Sequence, residues 1–380
     1  MKDDKILVID PYMGAAGDMF VGALAGLGVD FSKPIEALSD VGTVEIHKVN
    51  YGYRVSTQSH LSELDTEEVL DIMSKIMEKV PIVDPYREFA LRALRILIEA
   101  EKWAHRTFRI GEGGHLHEVS DIVIDLILVA YGLQILEARK IYCLYPIMVG
   151  GGTIRFSHGV FEVPAPATRW IIDNYMLPTK RGPYDVELLT PTGAAIIAAL
   201  QPIFVDRRDL EKNFIIESIG VGLGHRKLPE LNALKIYVAT ERKEPFLEEI
   251  VELETTIDDI APEYLSYIYG FLDAYEITIT PAIGKKNRLA MILRVLCSEE
   301  KEKECVEKIF RATGTLGIRR KVVRRYVRPR RYEVRHIIVD GHEFRVIFKE
   351  GKPEYSQILR IAKKTHLTPL EVLRKLQLNN

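Results

Sequence analysis

Acidic, basic and hydroxyl side chains gather in three short segments of the C-terminal third of the chain, 253–263, 281–288 and 313–320. They are Asp258 and Asp259 in the first segment, Lys285, Lys286 and Arg288 in the second, and Thr313 and Thr315 in the third. A hydrated divalent ion that carries a phosphate chain needs such a set, because carboxylate oxygens hold the metal while cations and hydroxyls hold the phosphates. An Asx helix cap beside solvated basic turns explains the same residues without a ligand. The pattern leaves both interpretations open.

Two histidines mark a second candidate site. His115 and His117 point to the same side if their segment is extended, because side chains alternate along a strand, and Glu118 and Asp121 follow them. Two imidazoles beside carboxylates suit a borderline transition metal such as Ni²⁺, Zn²⁺ or Co²⁺. Histidines that cap a helix or form ordinary hydrogen bonds are the alternative. Asp125 lies inside a strongly apolar helical pattern, where a carboxylate needs a partner.

The elements that position the first set follow from the apolar periodicity. The predicted order is strand 251–257, helix 262–273, strand 274–280, strand 288–297, helix 299–312 and strand 316–326. This β-α-β-β-α-β order is that of a ferredoxin-like sandwich. It places the candidate ligands at the ends of elements. An additional hairpin at 332–348 and terminal helices that separate near 365–369 follow.

The N-terminal part is predicted to be a mixed α/β domain. A buried strand at 5–9 leads through a glycine-containing turn into a helix at 18–27, an arrangement that binds ligands at the carboxyl end of the strand. Asp10, on the strand terminus, is a better candidate ligand than Asp18, whose charge complements the helix dipole. Residues 240–245 are polar and charged, so we predict an α+β or mixed α/β protein with domains at 1–240 and 246–380.

Composition excludes few classes of function. A net charge of −2 gives no overall field that favours nucleic acid, although nine Lys or Arg residues lie between 319 and 335. They fit a charge-protected edge strand, contact with a triphosphate, or RNA binding. No apolar run reaches transmembrane length, the chain enters a strand directly after its first residues, and the three cysteines form no CxxC. We therefore expect a cytoplasmic protein without membrane contact.

An ordered set of short motifs resembles one family over nearly the whole chain, the nickel insertion proteins that mature the nickel-pincer cofactor of lactate racemase. The matching motifs are Gly17-Asp-Met19 with Gly22-Ala-Leu24, His117-Glu-Val119, His158-Gly159 with Val163-Pro-Ala-Pro-Ala-Thr168, Thr190-Pro-Thr-Gly-Ala-Ala195, Leu253-Glu-Thr255 with Ile257-Asp-Asp259, Pro262-Glu263, Lys285-Lys286 with Arg288, Thr315-Leu-Gly317 with Arg319, and Pro353-Glu-Tyr355. Each motif alone is weak, whereas their shared order is specific.

The resemblance implies a cyclometallase that inserts Ni²⁺ between two sulfurs of a pyridinium bisthiocarboxylate mononucleotide and forms a metal–carbon bond. It also implies CTP with Mg²⁺ or Mn²⁺, a nucleotide site in the C-terminal domain, nickel or substrate handling in the N-terminal domain, and a homo-oligomer. Carried over by motif, the divalent ion is held by Asp258, Asp259 and Glu263; the phosphates are contacted by Lys285, Lys286, Arg288, Arg319 and Thr315; and nickel is handled near His115, His117 and Glu118.

Two departures from the family pattern concern nickel. Many members carry a long histidine-rich run before the His-Glu-Val motif, and here only His115 and His117 stand there. The following family motif is shortened to Ser120-Asp-Ile-Val-Ile-Asp125. Two rivals to nickel insertion therefore stay open: a nucleoside triphosphate hydrolase or metal chaperone that keeps the nucleotide site alone, and a non-enzymatic RNA-binding protein.

Overall fold

The computed structural model describes residues 6–61, 63–108, 115–117, 119–156 and 159–378. The protein is a mixed α/β chain with several sheets. It divides into two compact units, Met1–Arg242 with Arg330–Asn380, and Lys243–Pro329. Within the described ranges, no helix is both long enough and apolar enough to cross a membrane.

The first unit contains most of the elements. Its strands are β1 (Ile6–Asp10), β2 (Gly42–Val49), β3 (Gly52–Ser59), β4 (Glu63–Asp65), β5 (His115–His117), β6 (Lys140–Tyr145), β7 (Ile147–Met148), β8 (Thr153–Phe156), β9 (Gly159–Glu162), β10 (Thr179–Lys180), β11 (Ile203–Asp206), β12 (Phe214–Leu223) and β13 (Ala233–Glu241). Its helices up to residue 242 are α1 (Gly17–Gly26), α2 (Ser32–Ala37), α3 (Thr66–Lys79), α4 (Tyr86–Phe108), α5 (Val119–Ile135), α6 (Pro166–Asn174), α7 (Pro191–Leu200) and α8 (Leu210–Asn213).

A seven-stranded sheet with the order β11-β6-β1-β13-β12-β3-β2 organises this unit. Strands β11, β6 and β1 are parallel, so their carboxyl ends meet at one edge. The helix α5 is apolar on every side because it is buried on every side. A Cβ at Gly222 would lie 1.8 Å from the carbonyl oxygen of Met19, so glycine is what lets α1 lie against β12.

The second unit contains β14 (Phe246–Ile257), α9 (Pro262–Leu265), α10 (Ile268–Phe271), β15 (Glu276–Ile283), β16 (Leu289–Cys297), α11 (Glu302–Thr313) and β17 (Arg319–Val327). Its sheet has the antiparallel order β15-β16-β14-β17. The predicted element order is confirmed, and the strand order is that of a ferredoxin-like sheet. The predicted helix 262–273 is wrong in one respect, since it is two short helices interrupted at Ser266 and Tyr267.

The C-terminal segment contains β18 (Tyr332–Val339), β19 (His342–Lys349), β20 (Lys352–Pro353), α12 (Tyr355–Thr365) and α13 (Pro369–Leu378). The predicted hairpin and pair of helices are thus present. The contacts, however, group this segment with the first unit, whereas the predicted domain boundary had placed it with 246–329. The reason is physical: Arg330 and Lys349 both pair with the buried Asp209, and the ring of Tyr332 packs on that of Tyr142.

Candidate functional site

The three candidate segments of the second unit meet at one end of its sheet. Ile257, the last residue of β14, pairs with Met291 on β16, so the two aspartates that follow leave the sheet beside the β15–β16 turn. Arg288 lies three residues before Met291, about 10 Å further along at ~3.3 Å per strand residue. Arg319, the first residue of β17, pairs with Glu254 close to the same end. The register therefore brings the predicted metal and phosphate ligands to one edge.

Most of the candidate ligand side chains of the second unit are exposed to solvent. The exposed set is Asp258, Asp259, Glu263, Lys285, Lys286 and Arg288. Within the part of the chain that the structure describes, none of their charged groups forms an ion pair or hydrogen bond with another side chain. In the same ranges no group of three or more His, Cys, Asp or Glu residues is placed to hold a metal. Because Mg²⁺ usually binds through one or two carboxylates plus phosphates, this set fits an ion that arrives with its nucleotide.

The turn between β15 and β16 holds a strained backbone. Lys286 and Asn287 both have left-handed dihedrals, with φ values of 60° and 56°. The amide of Gly284 donates to the carbonyl of Arg288 at 2.8 Å and closes the turn. A left-handed residue other than glycine costs of the order of 1–3 kcal/mol, and such costs concentrate at ligand sites. The side chains of Lys285, Lys286 and Arg288 at this turn are all exposed to solvent.

A buried hydroxyl network fixes the loop before β17. Thr255 donates to the carbonyl of Gly317 at 2.8 Å, and its oxygen lies 2.7 Å from that of Thr315. Each hydroxyl has one hydrogen, so Thr315 donates to Thr255 when Thr255 donates to Gly317. In this arrangement Thr315 has no hydrogen left for a phosphate. Its predicted role as a donor to a ligand requires that the network rearrange.

The basic strand β17 is matched by carboxylates. Its ion pairs are Arg319–Glu254 at 3.1 Å, Arg320–Glu302 at 2.6 Å, Lys321–Glu252 at 3.4 Å, Arg324–Glu249 at 3.0 Å and Arg325–Glu248 at 2.5 Å. This pairing weakens the RNA-binding interpretation, because the positive charge of the strand is compensated within the unit. The Arg319 side chain is still 62% exposed, so it can also contact a phosphate.

The histidine motif of the first unit lies on a short strand. β5 pairs antiparallel with β4, with His117 opposite Glu63 and His115 opposite Asp65. The backbone of the two histidines is therefore extended, which is the condition on which their predicted placement depends. Glu118 lies outside the described residues. The strand leads directly into α5, whose first turn carries Asp121.

Sequence reasoning missed an acidic cluster that surrounds the start of α5. Asp125 is 7% exposed, and within the described ranges its carboxylate has no hydrogen-bond partner. Its Oδ2 lies so close to Gly17 that a Cβ there would be 2.1 Å away. Asp18, the next residue of α1, lies with its Oδ2 3.4 Å from His225 Nε2. The Ser59 hydroxyl donates to Asp121 at 3.0 Å.

The electrostatics of this cluster favour the protonated form of Asp125. Burial raises the pKa of Asp125 well above its ordinary value, and the charges of Asp18 and Asp121 raise it further. Burial also raises the pKa of Asp18, although His225 opposes that shift. The signal in the sequence was the lone aspartate in an apolar helix. Its neighbours could not be found that way, because His225 comes from a loop more than 200 residues from Asp18.

Asp10 is not a free ligand. Both oxygens of its carboxylate accept from the guanidinium of Arg207, and one also accepts from the hydroxyl of Tyr237 at 3.2 Å. Arg207 in turn lies over the ring of Tyr12, 4.4 Å from its centroid. The carboxyl edge of the parallel strands therefore holds a neutralised pair rather than an open metal ligand.

Comparison with known proteins adds a family. The protein-family model described as nickel insertion protein matches residues 7–373. The pyridinium-3,5-bisthiocarboxylic acid mononucleotide nickel insertion protein of Clostridium kluyveri is 32% identical, over 96% of this chain and 96% of its own. A putative nickel insertion protein of Methanocaldococcus jannaschii is 33% identical, over 98% of each chain.

One solved structure aligns with part of the chain. It is the apo C-terminal domain of a cyclometallase involved in the synthesis of the NPN cofactor of lactate racemase. The alignment covers 35% of this chain and 97% of that one, at 22% identity and a TM-score of 0.30.

Proposed function

This chain belongs to the nickel insertion protein family, and from that premise we propose that it is a cyclometallase that inserts nickel into a pyridinium bisthiocarboxylate mononucleotide. The observation that carries the proposal is the match of about the whole chain to relatives named for this substrate. The reaction uses CTP with Mg²⁺ or Mn²⁺. Nickel is the cargo, and two sulfurs and one ring carbon of the substrate become its ligands.

We assign the nucleotide to the edge of the second unit. The exposed lysines of the β15–β16 turn and Arg288 contact the phosphates, and each charge-assisted contact contributes roughly 1.5–3 kcal/mol when it excludes water. Asp258, Asp259 and Glu263 hold or orient the divalent ion, which neutralises the phosphate chain when bound. Arg319 adds a cation from the end of β17, already oriented by Glu254.

We assign nickel handling to the first unit. His115, His117 and Glu118 carry the metal-binding side chains of the family motif, and β5, which contains the two histidines, ends two residues before α5 begins. The acidic cluster of Asp18, Asp121 and Asp125 supports this assignment, because the proton that burial keeps on Asp125 can be exchanged for a divalent cation. Formation of a nickel–carbon bond also releases the proton of that carbon, and a carboxylate of this cluster is a suitable acceptor.

A single substitution tests the assignment. His117→Ala should abolish transfer of nickel to the thiolated substrate, measured as incorporation of nickel into the product by mass spectrometry, while CTP binding persists. His47→Ala is the matched control, because His47 is an exposed strand histidine paired only with Glu45. Full transfer by His117→Ala would give that histidine a structural role. Metal-dependent CTP binding without any transfer by the wild type would favour the hydrolase or chaperone alternative.

Two further features remain part of the proposal. We place the reaction in the cytoplasm, with which the three unpaired cysteines agree. We also propose that the protein is a homo-oligomer, which light scattering after size exclusion tests directly. A monomer across the working concentration range would contradict the second statement.

A further inference from the structure

A small cavity of the first unit is distinct from both candidate sites. Its volume is about 160 Å³, and among its lining residues are Met176, Gln201, Phe204, Arg345, Gln357 and Lys364. This space is large enough for a phosphate or a small carboxylate.

One cation that lines the cavity, Arg345, is not paired with a carboxylate of the described residues. Arg345 is partly buried and donates from Nη1 to the carbonyl of Pro202 at 3.0 Å. Within the described ranges it forms no ion pair, and burial lowers its pKa to about 10 with no carboxylate opposing the shift. Arg207 of the same unit differs, since it is paired with Asp10. An unpaired guanidinium is costly to bury, which indicates that an anion completes the site.

Other donors converge on the same space. The side-chain oxygen of Gln357 accepts from the amide of Ile347 at 2.8 Å, which leaves its NH₂ group as a donor. Lys364 supplies a second positive charge from the exposed side of α12.

The negative charge near the cavity is engaged elsewhere. Glu343 also lines the cavity, but it is 71% exposed and pairs with His336 at 3.3 Å. Glu354 accepts a hydrogen bond from the hydroxyl of Tyr145. The charged lining residues are therefore two cations, Arg345 and Lys364, and one carboxylate, Glu343.

We propose that this cavity is a binding site for a small oxyanion, an inorganic phosphate, a phosphoester group or a carboxylate, with Arg345 as its main ligand. The proposal does not depend on nickel insertion. The anion compensates the guanidinium and is held between β19, α12 and the end of α7. Because these elements come from distant parts of the sequence, binding stabilises the folded first unit.

The test is titration of the full-length protein with phosphate, acetate and chloride at constant ionic strength. Thermal unfolding and NMR chemical shifts are the readouts. Phosphate or acetate, but not chloride, should give a saturable shift, and the anion that saturates identifies the class. Arg345→Met should weaken that binding at least about tenfold, which corresponds to ~1.4 kcal/mol. Lys363→Ala is the matched control, since this exposed lysine of α12 is outside the cavity lining.

A second variant, Lys364→Ala, serves if Arg345→Met does not fold. We expect Lys364→Ala to weaken anion binding several-fold. The proposal is overturned if neither phosphate nor acetate binds the wild type saturably. It is also overturned if a folded Arg345→Met variant binds the anion as tightly as the wild type.

Discussion

Carboxylates are handled in opposite ways by the two units. In the second unit, Glu252 and Glu254 lie in a ladder with Arg294, Arg319 and Lys321, so each carboxylate is paired with cations. In the first unit, Asp125 is buried near Asp18 and Asp121, and no cation among the described residues pairs with it. The pKa values follow: hydrogen bonding to Arg294 lowers that of Glu254, and burial raises that of Asp125.

The difference indicates what each region is prepared to bind. The second unit neutralises its own sheet and leaves exposed lysines and aspartates at one end, which suits an anion that brings its metal from solvent. The first unit buries Asp125 in its protonated form, and ionising that group costs stability unless a cation enters. Cation binding should therefore be coupled to stability and to pH at the proposed nickel site and not at the proposed nucleotide site.

The largest effect is expected from the aspartates of the second unit. Asp258→Asn combined with Asp259→Asn should weaken Mn²⁺-dependent CTP binding by about 100-fold or more, because two metal-linked contacts at roughly 1.5–3 kcal/mol each are lost. The melting temperature should not change, since both side chains are exposed. Calorimetry measures the first quantity and circular dichroism the second.

The control for that experiment is Glu300→Gln with Glu307→Gln, two exposed carboxylates of the same unit outside the candidate edge. It should bind CTP as the wild type does. Equal affinity of the aspartate variant and this control would remove Asp258 and Asp259 from the site.

Asp125→Asn should change the stability of the protein rather than its affinity for CTP. The folded state of the wild type keeps a proton on Asp125 that the unfolded chain releases, so its free energy of unfolding falls as the pH rises above the ordinary aspartate range towards the raised pKa. Asparagine cannot ionise. The variant should be more stable by at least about 1 kcal/mol near neutral pH, with no advantage at acid pH, while nickel insertion is lost.

Denaturant unfolding at several pH values measures this difference. A variant that is less stable than the wild type at neutral pH would show that the Asp125 carboxylate is compensated in the folded protein. Unchanged nickel insertion would separate the cluster from the chemistry.

The smallest effects should come from single cations of the β15–β16 turn. Lys285→Ala, Lys286→Ala or Arg288→Ala should each weaken CTP binding by about five- to tenfold, since one exposed contact to phosphate is worth ~1 kcal/mol. Raising the salt concentration should reduce the affinity of the wild type more than that of the variants. Lys303→Ala, an exposed lysine of α11, is the control. Identical salt dependence of all these proteins would exclude the turn from phosphate binding.

Periodicity could predict the elements of the second unit because the unit is one continuous stretch of chain, 243–329, with regularly spaced apolar residues. Leu265, Ile268 and Leu272 keep the spacing of a helix face, so the helix was predicted, although the break at Ser266 and Tyr267 leaves no trace in that spacing. The grouping of residues 330–380 with the first unit could not be predicted from the sequence. It depends on Arg330 and Lys349 meeting Asp209 across more than 100 residues.

In the candidate sites, too, contacts between residues that are distant in sequence could not be predicted. Motif order found the residues at the end of the second sheet, because each lies where a predicted strand or helix ends. The unusual position of Asp125 was visible in the sequence as a carboxylate in an apolar helix. Its surroundings were not, since Gly17, Asp18 and His225 reach it only through packing of α1 and the loop after β12.

The most direct test of the central claim is calorimetric titration of the wild-type protein with CTP, ATP, GTP and UTP, each with and without Mn²⁺. We predict saturable binding of CTP that requires Mn²⁺, with weaker binding of the other three nucleotides. Equal binding of all four, or CTP binding that is indifferent to the metal, would contradict a metal-nucleotide site at the end of the second sheet.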